Sequence, residues 1–417
     1  MHVLYFHQYF TTPSTAGGTR SYEFAKELMA RGHRVTMVCA QQGKNDLILP
    51  VVPKKSIRYG TIEGIDVVQF NLDYSNYLSL PKRAEVFLRF ALNSVKIALC
   101  SDFDLAFATS TPLTTAIPGI ISRYLRNKPF IFEVRDLWPE LPRAMGVVKN
   151  PIVLAAMSGL EWLSYRAASA CIALAPGIRK GIARRSPKRR LIKIIPNGCD
   201  LGLFRPARRQ ELDLPGIQPK DCVAVFTGAH GIANGLDAVL DGAHVLLRRR
   251  RKNIVLAFIG DGKMKPALIE RAKAEGLENC RFYDPMPKER LCRVVNSCDI
   301  GMMILSDVPA FYYGTSPNKF FDYISSGLPV LNNYPGWLAD MILEHHCGEA
   351  VPPGDPERFA DALCKLADDP MLRQEYGRNA RRLAEESFSR DKLASEFVDW
   401  LEEVRRKWEP SRFSNET

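Results

Sequence analysis

Short apolar runs rich in β-branched and aromatic residues alternate along the chain with longer stretches of helical periodicity. The first series is HVLYF, a helix around Ser21–Arg31 closed by Gly32, then RVTMVCA, DLAFATS, PFIFEV, CIALA and LIKIIP. Such alternation predicts parallel βαβ units, because parallel neighbours need a crossover between them. A second series opens near Cys222 with CVAVFTG and continues through NIVLAFIGDG, CRFYD, CDIGMMIL and LPVLNN. The pattern predicts an α/β chain of two doubly wound halves facing a cleft. Periodicity lapses in PNGCDLGLFRPARRQELDLPG, residues 196–216, which sets a first domain over 1–200 and a second over 201–387. The stretch 388–410 is an amphipathic helix with no sequence neighbour left to pair with, and it is expected to pack back on the first domain.

At 417 residues the chain has room for two cores, and 46% hydrophobic with 25% charged residues excludes a disordered tail or a coiled coil. The 57 Lys and Arg against 46 Asp and Glu give a net charge of +11, which points to an anionic partner without naming it. Ten cysteines without a CxxC pair, several inside apolar runs, read as reduced core thiols of a cytosolic chain. The start, MHVLYFHQYF, lacks a basic leader and reads as a first strand. No apolar stretch reaches the roughly 18 residues of a membrane span, so any membrane contact is expected from the surface.

In doubly wound sheets, ligands bind outside the carboxyl ends of the strands, so the loops there carry the candidate chemistry. After the first strand comes HQYFTTPSTAGG, where Gly17 and Gly18 let backbone approach a ligand at a helix start. ATSTPLT supplies Thr109, Ser110 and Thr111, and FEVRDLWPE supplies Glu133, Arg135 and Asp136. A carboxylate there is a general base, a holder of a sugar hydroxyl, or half of a Glu–Arg or Asp–Arg structural pair. In the second half, FTGAHGIANGL brings Gly228, Asn234 and Gly235 to a strand end. The richest segment is FYYGTSPNKFFDYISSGLPVL, with Tyr313, Gly314 and Thr315 leading into Ser316 and Pro317, expected as N-cap and first position of a helix. Asn318 and Lys319 then crowd a positive helix end suited to a diphosphate, and Asp322 follows on the same face, able to accept from vicinal hydroxyls. A capped helix with a solvated Lys–Asp pair is the plainer reading of the same residues. SDFD at 101–104 contains a DxD string but precedes its strand, and His345-His346-Cys347 is too compact to chelate, so no metal is expected.

Taken in order, AGGTRSYEFAKELMARGHRVTMV, FATSTPLT, FEVRDLWPE, IPNGCDLGLF, SPNKFFDYISSGLPVL and CGEAVPPGDPERFADAL resemble the GT-B glycosyltransferases of family 4, nearest to the WbuB-like branch of bacterial surface-polysaccharide assembly. The resemblance implies two Rossmann-like domains, a UDP-sugar donor held mainly by the second, an acceptor held mainly by the first, retention of configuration and no cofactor. It places the ribose carboxylate on Asp322, where many members have Glu. The acid eight positions earlier is replaced here by Gly314, and the loop GAHGIANGL lacks the usual Arg and Lys. Lys319 is therefore expected to stabilise the leaving diphosphate, assisted by backbone at Gly17–Gly18 and Gly228–Gly235. Donor contacts are expected from Asn234, Tyr313, Gly314, Thr315, Ser316, Asn318 and Asp322, a further catalytic contribution from Asp136 and Glu133, and acceptor contacts from Thr109, Ser110, Thr111 and Arg135.

Residues 77–99 mix leucines with Lys82, Arg83, Arg89 and Lys96, and 177–199 carry eight cations without an acid. Both suit an anionic membrane surface and a polyprenyl-diphosphate-linked acceptor, although 77–99 also fits an ordinary layer helix. No nucleic-acid recognition motif is present. The expected activity is transfer of an N-acetylated amino sugar from a UDP-sugar to a lipid-linked saccharide at the inner face of the cytoplasmic membrane. A non-hydrolysing UDP-sugar 2-epimerase and an inactive membrane-associated scaffold are the alternatives.

Overall fold

The computed structural model of the chain describes residues 1–13, 18–42, 49, 56–74, 78–186, 191–207 and 214–408. The chain falls into two compact units, Met1–Pro196 together with Asp391–Thr417, and Asn197–Arg390. Gly17, Tyr77 and the cations Lys188, Arg189 and Arg190 lie outside the described residues.

The first unit is built on eight strands: β1 (His2–Phe6), β2 (Arg34–Gln42), β3 (Ile57–Ile62), β4 (Ile65–Tyr74), β5 (Leu105–Thr109), β6 (Phe130–Val134), β7 (Ala170–Ala173) and β8 (Leu191–Ile194). They lie in the order β3-β4-β2-β1-β5-β6-β7-β8. Among the described residues only β3 and β4 pair antiparallel. This hairpin was not among the expected strands. Its turn, Glu63-Gly64, takes positive φ at both residues, the backbone that matches the twist of two adjacent strands. The central strands β1, β5, β6 and β7 are buried throughout or nearly so, as a parallel sheet covered on both faces requires.

One cover of that sheet comes from both ends of the chain. Phe24 on the helix Arg20–Ala30 and Phe397 on the helix Arg390–Arg406 stack 4.2 Å apart, and Phe397 meets Phe107 of β5 edge-on at 5.1 Å. Leu393, Val398, Leu401 and Val404 join the same core. The C-terminal helix therefore packs back on the first unit. The opposite cover contains the helices Leu80–Cys100, Ala116–Leu125 and Pro151–Ala167.

The second unit has six parallel strands, β9 (Cys222–Thr227), β10 (Ile254–Ile259), β11 (Cys280–Tyr283), β12 (Ile300–Met303), β13 (Val330–Asn332) and β14 (Gly348–Ala350), ordered β11-β10-β9-β12-β13-β14. The order reverses at β9, so the loops after β9 and β12 leave in opposite senses and open a crevice between them. The helix Asn318–Ser325 is fixed over that point by Tyr323. Its hydroxyl accepts from Thr227 N at 2.9 Å, and its ring lies where a side chain at Gly301 of β12 would stand.

The buried Phe397 predicts a measurable energy: Phe397→Ala should lower the unfolding free energy by about 3–5 kcal/mol, read as a shifted urea midpoint.

Candidate active site

The loop leaving β9 is held at both ends. Gly228 N donates to Ile259 O at 3.0 Å and His230 N to Asp261 O at 2.8 Å, so the loops after β9 and β10 run zipped together. Gly260, with φ +148°, permits this contact: a Cβ there would stand 1.9 Å from Gly228 O. Further on, Ser306 after β12 donates from its backbone N to Ala233 O at 3.0 Å and from its hydroxyl to Ile232 O. Gly235 turns back in the left-handed region at φ +53°, and a side chain there would strike Ser306 Cα at 2.8 Å.

Into this loop reaches Lys319. Its Nζ donates to Asn234 Oδ1 at 2.9 Å and lies 3.9 Å from the centre of the Phe226 ring. No carboxylate pairs with it among the described residues, and withdrawal from water lowers its pKa to about 7. An amine with one neutral acceptor and a π face keeps donor capacity for an incoming anion. The helix beneath it begins one residue later than expected. Pro317 is the N-cap, Asn318 the first helical residue, and no side chain caps the end. Ser316 is committed elsewhere, its hydroxyl accepting from Asn197 N at 3.0 Å and its carbonyl from Asn197 Nδ2 at 2.6 Å. Asn318 is exposed, and Gly18 is exposed in the first unit.

Asp322, one turn along, faces a different set. Burial raises its pKa to about 6 against the opposing fields of Lys288 and Arg390, and Asp200 adds to the rise. Both cations are themselves held by Asp200, whose Oδ2 lies 3.0 Å from Lys288 Nζ and 3.3 Å from Arg390. The solvated Lys–Asp pair allowed by the sequence is thus absent: Lys319 and Asp322 serve separate environments. Thr315 donates to Phe311 O at 3.0 Å and accepts Trp337 Nε1 at 2.7 Å through its carbonyl, so it supports the loop. Gly314 closes a turn on Phe311 at 3.3 Å, and Tyr313 is nearly half exposed.

In the first unit the candidates divide into two groups. Glu133 is fully buried, takes two hydrogen bonds from Arg20 on Oε1 at 3.0 and 2.9 Å, and takes Thr109 on Oε2 at 2.6 Å. Arg135 adds an ion pair at 3.3 Å and also donates to Thr109 at 2.7 Å and Ser21 at 3.2 Å. Although burial alone would raise it, Arg20 and Arg135 hold the Glu133 carboxyl below its ordinary value. Of the roles open to Glu133, the occupation of both oxygens matches the Glu–Arg structural ion pair. Thr109 and Ser110 are buried in the same network, with Ser110 Oγ accepting from Arg135 N at 2.8 Å. Asp136 and Thr111 form the second group. Thr111 donates to Asp136 Oδ2 at 3.0 Å, and burial raises the Asp136 pKa while Thr111 and Arg135 oppose it.

Several residues of these networks were not legible in the sequence. Phe226, Ser306, Lys288, Asp200 and Arg390 reach the site from segments far apart in the chain. His230, buried with neither ring nitrogen hydrogen-bonded among the described residues, has its pKa lowered to about 4, by burial first and by Lys265 second. Lys265 itself ties the β10 and β11 ends together through Gly260 O, Tyr283 O and Asp284 at 2.9, 3.0 and 2.8 Å. The SDFD string is structural: Asp104 Oδ2 accepts from His2 N at 2.7 Å at the amino end of β1. Among the described residues no group of three His, Cys, Asp or Glu could hold a metal ion.

The assignment of Glu133 has a direct check. Glu133→Gln should destabilise the protein by about 3–5 kcal/mol in urea unfolding, because it strands the buried Arg20, whereas a purely catalytic carboxylate would leave the midpoint unchanged.

Residues 17–203 match the family model described as Glycosyltransferase Family 4, and residues 208–383 match Glycosyl transferases group 1. A D-inositol 3-phosphate glycosyltransferase 2 of Catenulispora acidiphila is 28% identical over 199 residues, 45% of each chain. A D-inositol 3-phosphate glycosyltransferase of Streptomyces avermitilis is 28% identical over 224 residues, 50% of this chain and 46% of that protein. The chain thus spans about half the length of these curated relatives. Among solved structures, a sucrose-phosphate synthase from Thermosynechococcus elongatus superposes with a TM-score of 0.77 at 16% identity, over 97% of this chain and 98% of that one. Anabaena HepE in complex with UDP-glucose superposes at 0.69 and 16% identity, over 97% and 100%. The fold is therefore GT-B, with the first half of the chain similar to the Glycosyltransferase Family 4 model and the second half similar to the Glycosyl transferases group 1 model.

Proposed function

We propose that this chain is a retaining, metal-independent glycosyltransferase that moves a sugar, an N-acetylated amino sugar by our reading, from UDP to a polyprenyl-diphosphate-linked saccharide. The observation that carries it is the Lys319 ammonium, free of any carboxylate partner among the described residues and poised between the Gly228–Gly235 loop and an uncapped helix end. As the bond from the anomeric carbon to the diphosphate oxygen breaks, charge grows on that oxygen. A preorganised cation and helix dipole stabilise it with little reorganisation. The acceptor hydroxyl bonds to the anomeric carbon from the same face and gives its proton to the departing phosphate, leaving UDP. Asp322, ionised above about pH 6, is the group for the ribose hydroxyls. Thr111 and Asp136 are the first unit's candidates for acceptor or sugar hydroxyls.

Surface chemistry supports the lipid-linked acceptor. The helix Leu80–Cys100 exposes Leu88, Leu92 and Leu99 by 51%, 55% and 41%, interleaved with exposed Lys82, Arg89 and Lys96. The helix Pro151–Ala167 of the same cover exposes Ile152 and Trp162. No helix among the described residues is long and apolar enough to cross a membrane. Leucines flanked by cations suit peripheral attachment to an anionic leaflet, which we assign to the cytoplasmic face.

The test is a panel of nucleotide sugars offered with a polyprenyl-diphosphate saccharide and read by mass spectrometry, beside calorimetric titration with UDP. Transfer from one UDP-sugar is expected. Absence of UDP binding, or isomerised donor without acceptor, would overturn the reading in favour of a scaffold or an epimerase. Lys319→Ala should cut turnover at least about 100-fold, the scale of losing one oxyanion stabiliser. Asp322→Asn should act chiefly on UDP affinity.

A further inference from the structure

We propose that Asn234 is the positioning residue that aims the Lys319 ammonium at the anion and keeps its charge available; this rests on the nucleotide-site reading above. The amide is oriented by two hydrogen bonds that only one rotamer satisfies. Its Nδ2 donates to Ala229 O at 2.7 Å, which turns Oδ1 toward Lys319 Nζ at 2.9 Å. Flipping the amide would set a donor against an ammonium and an acceptor against a carbonyl, losing both bonds. The backbone carrying Asn234 is itself fixed, since Ser306 binds the carbonyls of Ile232 and Ala233 just before it and Gly235 turns back just after it.

The residue type follows from the charge balance. A second cation at this position would repel Lys319, and a carboxylate would pair with it and cancel the charge that an anion needs. A neutral acceptor holds the ammonium in place and leaves its charge unspent. Asn234 also matters for protonation. Water is largely withdrawn from Lys319, and each acceptor it retains favours the charged form. Among the described residues, His230 in the same loop feels the Lys319 charge together with Lys265, from the helix Lys265–Ala274, and Asp261 after β10, and Asp322 lies on the same helix as Lys319. His230 is neutral near pH 7, Lys265 is bonded to Asp284, and Asp322 lies among Lys288, Arg390 and Asp200. None of them replaces Asn234 as a hydrogen-bond partner of Lys319 among the described residues.

Calorimetric titration of the full chain with UDP between pH 5.5 and 8.5 tests this, each variant expressed as a ratio to wild type at the same pH so that the nucleotide's own titration cancels. Asn234→Ala should bind about 10-fold more weakly at pH 7.5, the scale of one hydrogen bond to a charged group, and approach wild type near pH 6, where the amine is protonated without help. Asn234→Asp should hold the amine charged to higher pH, so that its ratio rises with pH while affinity is lower throughout. Asn234→Gln should recover part of the loss at pH 7.5. A ratio for Asn234→Ala that is independent of pH would overturn the proposal, since it would mark a direct ligand contact or a packing role; so would a ratio of one throughout. Failure of wild type to bind UDP at any pH would instead overturn the nucleotide site itself.

Discussion

A half-buried ammonium without a counter-charge among the described residues is the constraint around which the second unit is arranged. Removing an amine from water costs free energy unless something nearby favours its charged form, and here that support consists of one amide oxygen and one aromatic face. Each neighbouring feature serves to hold that arrangement. Tyr323 pins the helix over β9, Ser306 fixes the loop that bears Asn234, and the zipped loops after β9 and β10 fix Gly228 beneath the amine.

The first unit solves the opposite problem. Its buried carboxylate is overcompensated, with Arg20 and Arg135 converging on Glu133 and Arg20 also reaching the carbonyls of Ile195 and Pro196. A charge paired this fully ties the ends of β5 and β6 to the first helix and the close of β8. Immediately after Arg135 of this network, Asp136 keeps a raised pKa and a single hydroxyl partner among the described residues. Glu133 on β6 and Asp136 in the bend that follows it therefore lie in different environments, one among guanidinium groups and the other against a hydroxyl.

Much of the fold was legible because it depends on local pattern. Eleven apolar runs read from the sequence became strands, and the C-terminal amphipathic stretch became a helix covering the first sheet. What escaped were elements with weak local signals: the β3–β4 hairpin, whose register rests on a Glu-Gly turn, and the three-residue β14, too short to carry a period. At the site, Lys319, Asp322, Asn234 and Gly228 were readable as types in a pattern. Their division into two environments was not, because Lys288, Asp200 and Arg390 come from distant segments.

By itself the sequence determined the two α/β units and the residue types in the loops after their strands, since periodicity and residue type are properties of contiguous chain. The tertiary structure alone decided that Lys319 leans on Asn234 and Phe226, that Ser316 serves Asn197 and not the helix end, and that Glu133 is locked to Arg20. Those outcomes depend on hydrogen-bond geometry between residues as much as 119 positions apart, and no local pattern encodes such distances.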